Sequence, residues 1–292
     1  MKQLIQTIEK MKPHFEKISN NPYLRAIRDG FISLIPVILF SSFFLLAAYV
    51  PNAFGFGFHW DTSIETILMK AYNGSMGILG LLMAATVTKS LTETFNNKLP
   101  KTNQINPTST IIAAFIGFVI IGVDAIEGGF SSDFMGTKGL LTAFVVGFIV
   151  PNIYRFCVKN NITVKMPEEV PGNISQTFKD LIPITLATVF FWLFDLGFRH
   201  LAGTGFSEKI IELFQPIFSA ADGYLGLALI FGAMAFFWFV GIHGPSIVEP
   251  AVAAIYITNV EANLQLYQSG EHAPRILSQG IQYFVATLGG TG

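Results

Sequence analysis

The sequence predicts an all-α polytopic membrane protein, and its composition and charge spacing carry that prediction. Hydrophobic residues make up 51% of the chain and charged residues only 13%, whereas soluble domains average about 25% charged residues. No charged residue falls between Asp29 and Asp61, and Gly223–Val248 is a second long uncharged run. A helix needs about 20 mainly apolar residues to cross a bilayer. Runs of this length therefore indicate membrane spans.

The apolar runs predict about six to seven transmembrane helices. Spans are expected at 31–50, 72–95, 109–127, 138–158, 181–202 and 222–243, and a further apolar stretch runs from Ile276 to Gly292. Two other segments are amphipathic and are expected to lie along the interface. One is the N-terminal segment, with apolar residues at helical spacing from Leu4 to Ile18, and the other is SEKIIELFQPIF between the fifth and sixth spans.

Lysine and arginine positions predict the orientation. They concentrate before the first span, between the second and third, and between the fourth and fifth. The positive-inside rule then places the N-terminus in the cytoplasm.

No basic cluster suggests a nucleic-acid partner. Neither the lone Cys157 nor the scattered histidines have metal-ligand spacing, so no metal or cofactor is expected.

Charged residues within or beside the spans need partners. Asp195 and Arg199 are four residues apart on one face of the fifth span, which favours a structural salt bridge over a transport role. Asp124 and Glu127 are interpreted as outer-loop carboxylates at the end of the third span.

The segment FWFVGIHGPSIVEP, residues 237–250, interrupts the sixth span. Gly241, Gly244 and Pro245 disturb the helix, and lipid cannot satisfy the backbone groups that they free. The next apolar piece, PAVAAIYITNV, is too short to cross a bilayer. These features predict a re-entrant hairpin, the kind of element with which transporters build substrate sites.

His243 and Glu249 lie in this hairpin and are candidate ligand contacts. A neutral imidazole donates and accepts, and a carboxylate accepts, so the pair suits a carbohydrate. Alternatively, both residues only cap helices. The segment AYNGSMG, residues 71–77, could also approach a ligand through Asn73 and Ser75, although we favour a plain helix start there.

Five segments together resemble a known family. They are FWFVGIHGPSIVEPAVAAI, NPYLRAIRDGFISLIPVILFSS, KLPKTNQINPTST, MPEEVPGNISQTFKDLIP and EHAPRILSQGIQYFVATLGGTG. They look like enzyme IIC, the membrane domain of the lactose/cellobiose branch of the bacterial phosphoenolpyruvate-dependent sugar phosphotransferase system. The resemblance covers essentially all of the chain. The segments TNQINPTST and GIHGPSIVEP are more similar to the lactose transporters than to the cellobiose ones.

The resemblance implies a homodimeric permease in the bacterial cytoplasmic membrane that binds and translocates lactose or a related β-disaccharide. A IIB domain or protein would be the phosphoryl donor, and this chain would not be catalytic alone. The expected sugar-binding residues are His243 and, by match to a serine of the second span, Ser75. Gly241 and Glu249 are further candidate sugar-binding residues because of their positions in the hairpin.

The chain also departs from the family pattern. The family continues with three more spans and a second hairpin that carries a sugar-binding glutamate, and nothing in 1–292 matches that hairpin or a IIB domain. Residues 1–292 are thus expected to form an IIC-type domain that is incomplete at its C-terminal end. An ion-coupled secondary sugar transporter and a truncated inactive remnant are the alternatives.

Overall fold

The computed structural model describes residues 13, 16–18, 20–54, 60–164, 166–167, 169–239, 241 and 243–286. Helices dominate these residues. The longer ones are α1 (Pro22–Phe54), α2 (Thr62–Met76), α3 (Leu79–Asn96), α4 (Pro107–Gly122), α5 (Leu140–Lys159), α6 (Gly172–Ala202), α7 (Phe206–Ala221), α8 (Tyr224–Phe239) and α9 (Gly244–Gln268). A short helix, α10 (Gln279–Ile281), continues as a π-turn over Gln282–Ala286.

The chain forms two compact units. The first unit is Asp29–Lys209, and the second, called the hairpin unit here, combines Met1–Arg28 with Ile210–Gly292. Most of the N-terminal segment predicted to lie on the membrane surface falls outside the described residues, as do residues 287–292 of the last apolar stretch.

Long apolar helices confirm the prediction of a helical membrane protein. Within the described residues, four stretches are long and apolar enough to cross a bilayer: Pro22–Pro51, Thr62–Asn96, Thr137–Lys159 and Ile174–Ala202. The pair α7 and α8 passes the same test jointly but is bent by 81°. The helix over Phe206–Ala221 contains the segment SEKIIELFQPIF, which the sequence predicts as amphipathic.

The third predicted span, 109–127, is too long at its C-terminal end. α4 stops at Gly122, and the chain then forms a two-stranded hairpin of β1 (Ala125–Ile126) and β2 (Gly129–Phe130). Ala125 pairs with Phe130, and Ile126 pairs with Gly129. Asp124 and Glu127 therefore belong to this hairpin and its approach.

Close packing of α3, α4 and α5 forms the core of the first unit. Buried apolar side chains from all three helices meet there, among them Met83, Val87, Phe118 and Val146. A Cβ on Gly147 would lie 2.7 Å from a Val87 methyl group. Small residues let helix backbones approach closely, which is how helices associate in lipid.

Two of the segments that carry the family resemblance meet in the first unit. Asn106 caps the N-terminus of α4 by accepting from the Thr108 amide at 3.0 Å. The same side chain donates from Nδ2 to the Asp180 carboxylate of α6 at 2.7 Å, and Gln176 donates to the other oxygen at 3.0 Å. Asp180 is largely buried, so these bonds stabilise a carboxylate that is mostly shielded from water.

Asp222 organises the hairpin unit at the bend between α7 and α8. Its Oδ1 accepts from the backbone amides of Ile276 and Leu277 at 2.9 and 2.6 Å, and from Asn259 Nδ2 of α9 at 3.0 Å. Arg275 lies 3.8 Å from the second oxygen. One carboxylate thus ties the bend, α9 and the segment after α9 together.

Candidate functional site

The predicted break in the sixth span lies between α8 and α9. α8 ends at Phe239, and Gly241 has a φ of +79°, a left-handed conformation that glycine adopts without steric cost. His243 follows, and α9 begins at Gly244. The break was predictable because apolar residues continue through it while the glycines cannot sustain the helix.

Gly244 lets α9 start directly against α8. A Cβ at this position would collide with the carbonyl oxygen of Met234. Met234 itself is buried, in a cluster with Val252, Ile255, Tyr256 and Leu277. The two helices therefore pack against each other immediately after the turn, and this contact fixes where the turn places His243.

The second arm of the hairpin is a longer helix than its apolar piece alone. The sequence predicts a short apolar piece, PAVAAIYITNV, but α9 extends from Gly244 to Gln268 over 25 residues. Pro245 lies in the first turn, where a helix needs no N–H donor. Beyond Val260 the helix continues with residues of good helix propensity, among them glutamate, alanine, leucine and glutamine.

His243 is exposed at the turn and is in contact with an aromatic ring. The Trp238 and His243 ring centroids are 4.7 Å apart at an interplanar angle of 60°. Trp238 is 40% exposed, so part of its apolar ring stays accessible beside the imidazole. Trp238 was not among the predicted site residues, although the sequence places it five residues from His243 across a glycine turn.

Glu249 lies on α9, half-buried, and accepts two side-chain hydrogen bonds. Tyr283 OH donates to its Oε1 at 3.0 Å, and Gln282 Nε2 donates to the same oxygen at 3.4 Å. Both partners come from the π-turn more than thirty residues along the chain. No local spacing could have revealed them, because helix neighbours are only three or four residues apart.

Ser75 belongs to the first unit, and its hydroxyl has partners there. Its Oγ lies 2.6 Å from Ser41 Oγ of α1, and the carbonyl oxygens of Ala71 and Tyr72 lie at 2.9 and 3.0 Å as alternative acceptors for its single proton. The favoured prediction of a plain helix start at 71–77 is wrong. These residues end α2, and the chain breaks at Gly77 and Ile78 before α3 begins.

A three-residue ion cluster closes one end of the first unit. Arg199 Nε lies 2.9 Å from Asp195 Oδ1, which confirms the predicted salt bridge, and Arg199 NH2 lies 2.7 Å from Asp124 Oδ1. Asp124 therefore has a structural partner that the sequence did not reveal. Among the described residues, no group of three or more histidine, cysteine, aspartate or glutamate side chains could hold a metal ion.

These features define a helical membrane protein with a broken hairpin, and comparison with known proteins places it in a family. The model of the EIIC family of the phosphotransferase system matches residues 28–292. The chain belongs to that family.

Several curated relatives and one solved structure are similar to the chain. It is 59% identical over its whole length to the "PTS system lactose-specific EIICB component" of Staphylococcus aureus and to that of Staphylococcus epidermidis. The chain spans 51% and 50% of these relatives, about half of their length. The crystal structure of the transporter ChbC, the IIC component of an N,N'-diacetylchitobiose-specific phosphotransferase system, matches with a TM-score of 0.79 at 21% identity. That match covers 93% of this chain and 65% of ChbC, and it shows the fold.

Proposed function

We propose that this chain is the sugar-binding and sugar-translocating membrane component of a phosphotransferase system, specific for lactose or a related β-disaccharide. The observation that carries the proposal is 59% identity along the whole chain to proteins named lactose-specific EIICB components. The broken hairpin supports it, because such elements form substrate sites at the level of the membrane.

His243 and Glu249 are the proposed sugar contacts in the hairpin. The exposed imidazole donates one hydrogen bond and accepts another, which matches a sugar hydroxyl. Glu249 Oε2 has no hydrogen bond to a described residue in addition to the two that Oε1 accepts, so the carboxylate has acceptor capacity for a hydroxyl. Gly241 supplies the turn, and the ring of Trp238 offers an apolar face to the C–H groups of a sugar. Ser75 is proposed by its match to the family's second span.

The chemistry is proposed to come from a IIB partner. A phosphoryl group would leave a cysteine sulfur of IIB and form a phosphate ester with a sugar hydroxyl, whose proton is released. The contribution of this chain is to hold the sugar in position for the transfer. The relatives' names join EIIC and EIIB in one component, which favours a IIB partner for this chain. We further propose a homodimer with cytoplasmic N-termini.

Uptake measurements test the function. The gene, as its own cell carries it, is expressed in a host without other lactose transporters, and the cells receive radiolabelled lactose. The expected product inside is lactose phosphate, and uptake should stop when the general phosphoryl-carrier enzyme of the host is deleted. A proton or sodium ionophore should leave uptake intact, apart from any loss that comes from a lowered supply of phosphoenolpyruvate.

Two other results would contradict the proposal. Free lactose inside the cell, with uptake lost on adding an ionophore, would identify an ion-coupled secondary transporter. No uptake of lactose or other β-disaccharides, despite normal insertion into the membrane, would identify an inactive remnant.

A further inference from the structure

The hairpin unit contains two buried polar atoms with complementary hydrogen-bonding needs. The side chains of Tyr256 and Gln282 are 2% and 0% exposed. Tyr256 OH and Gln282 Oε1 have no hydrogen-bond partner in the part of the chain that the structure describes. A phenol is a donor, and an amide oxygen is an acceptor. Buried polar groups in folded proteins nearly always have partners, so two such atoms in one unit need an explanation.

Both atoms belong to the polar cluster around Glu249. Gln282 Nε2 and Tyr283 OH donate to the Glu249 carboxylate, and the Tyr256 phenol lies within electrostatic range of Glu249 and Tyr283. Glu249 and Tyr256 are seven residues apart on α9, so they share one helix face two turns apart. The cluster combines α9 with the π-turn at Gln282–Ala286.

The carboxylate fixes the orientation of the Gln282 amide. If the amide were reversed, Oε1 would face the Glu249 oxygen, and two acceptors would meet without a proton between them. Nε2 must therefore point at Glu249, and Oε1 must point elsewhere. The unmet acceptor on Gln282 is a consequence of its bond to Glu249.

The cluster lies close to the proposed sugar contact. Glu249 is five residues into α9, about 8 Å along the helix from the position next to His243. Tyr256 lies a further seven residues, about 10 Å, along α9, so a ligand that contacts both the turn and the cluster must extend along this helix.

We propose that Tyr256 and Gln282, beside Glu249, form a binding subsite for one hydroxyl group. The hydroxyl oxygen accepts from the Tyr256 phenol, and its proton is donated to Gln282 Oε1. Two sources share this chemistry, a hydroxyl of the bound disaccharide and an ordered water molecule. For the first source, the inference rests on the proposed sugar-binding function.

A conservative variant tests the subsite. Tyr256→Phe removes one oxygen and keeps the ring, and Tyr224→Phe, at a tyrosine that is 85% exposed, is the matched control. The full-length protein, purified into lipid nanodiscs, is titrated with lactose and with a series of analogues that each lack one hydroxyl. Thermal unfolding midpoints are measured without sugar. Gln282→Met provides a second variant that keeps the side-chain length and removes the Oε1 acceptor, together with the Nε2 donor to Glu249.

Each outcome has a defined meaning. If a sugar hydroxyl occupies the subsite, one analogue binds the native protein at least tenfold more weakly than lactose but binds Tyr256→Phe as well as lactose does. If water occupies it, Tyr256→Phe lowers the unfolding midpoint by a few degrees, and the affinities for lactose and all analogues change by the same factor or not at all. If affinity is unchanged and the midpoint is unchanged or raised in both variants, the subsite does not exist.

Failure of the proposed function gives a separate result. A native protein that binds no β-disaccharide would contradict the sugar-binding function, and the unfolding midpoints alone would then decide whether the hydroxyl subsite exists.

Discussion

His243 shows how a turn can expose a polar side chain from an apolar segment. The residues around it form two helices, and the imidazole lies between their ends, next to the Trp238 ring at 4.7 Å. A histidine in the middle of a continuous span would have to find its partners within the helix bundle. At the break it can contact a ligand instead.

Replacing His243 tests its proposed role in binding. His243→Asn should weaken disaccharide binding by at least tenfold, because the amide cannot reproduce the position of the ring nitrogens, while the unfolding temperature should stay within one or two degrees of the native value. Isothermal titration and circular dichroism melting measure the two quantities. His272→Asn, at an exposed histidine of the same unit, is the control and should bind normally. Equal affinities in both variants would remove His243 from the site.

At the scale of single residues, the sequence predicted which side chains lie at the break, but not which residues they contact. His243 and Glu249 were identifiable because polar residues are rare in apolar segments. The partners of Glu249 were not, because Gln282 and Tyr283 approach it from a distant part of the chain. The partner of Asp124 was not identifiable either, because its bond to Arg199 connects the segment after α4 with the last turn of α6.

Among the elements, the pairing of α8 with α9 depends on close approach at one glycine. Gly244 faces the backbone of Met234, whereas a Cβ on Gly232, in the middle of α8, would meet nothing within 4 Å. The sequence predicted the break from its glycines and prolines. It did not predict the length of α9, because apolar runs measure how much of a helix is in lipid and not where the helix ends.

Two glycine variants test this close approach. Gly244→Ala should lower the free energy of unfolding by roughly 1–3 kcal/mol, because an added methyl group forces backbone shifts. Gly232→Ala should be neutral or stabilise by up to about 1 kcal/mol through helix propensity. Urea unfolding in mild detergent measures both. Similar stabilities for the two variants would show that α9 does not pack tightly against α8 at Gly244.

The Asp222 carboxylate provides a second test among the elements. Asp222→Asn should loosen the segment Arg275–Leu277 and cost roughly 1–3 kcal/mol, because the two backbone amides and Asn259 lose a charged acceptor. Limited proteolysis should then cut near this segment at least several-fold faster. Glu271→Gln, at an exposed carboxylate in the same loop, should leave the cutting rate unchanged. Native-like resistance in Asp222→Asn would show that the other contacts hold the segment.

At the scale of the whole molecule, exposed apolar side chains and the positions of charged residues indicate how the protein is placed in a membrane. Large apolar side chains are exposed along α1 and α6, including Leu39, Phe43, Trp192 and Leu201. Such surface suits lipid or a partner subunit and is unusual for a soluble protein. The fold class was predictable for this reason, since composition alone requires the chain to be in a membrane. The grouping into two units was not, because it depends on contacts far apart in sequence.

Cysteine labelling tests the orientation. Asn97→Cys and Glu127→Cys place exposed thiols at opposite ends of α4, and Cys157 is buried in α5. In intact cells, a membrane-impermeant maleimide should label Glu127→Cys above the unsubstituted protein, whereas Asn97→Cys should react only after permeabilisation. The basic residues near Asn97 explain the expected cytoplasmic location. The opposite labelling pattern would reverse the proposed topology.

The contact between Trp238 and His243 has an optical consequence. The chain contains three tryptophans, and replacing Trp60 and Trp192 with phenylalanine would leave a single emitter next to the proposed sugar contact. An imidazole this close to an indole ring quenches its fluorescence. A sugar that binds between the two rings would separate them and change the emission. The turn therefore carries its own spectroscopic probe, which would follow sugar binding in real time without a chemical label.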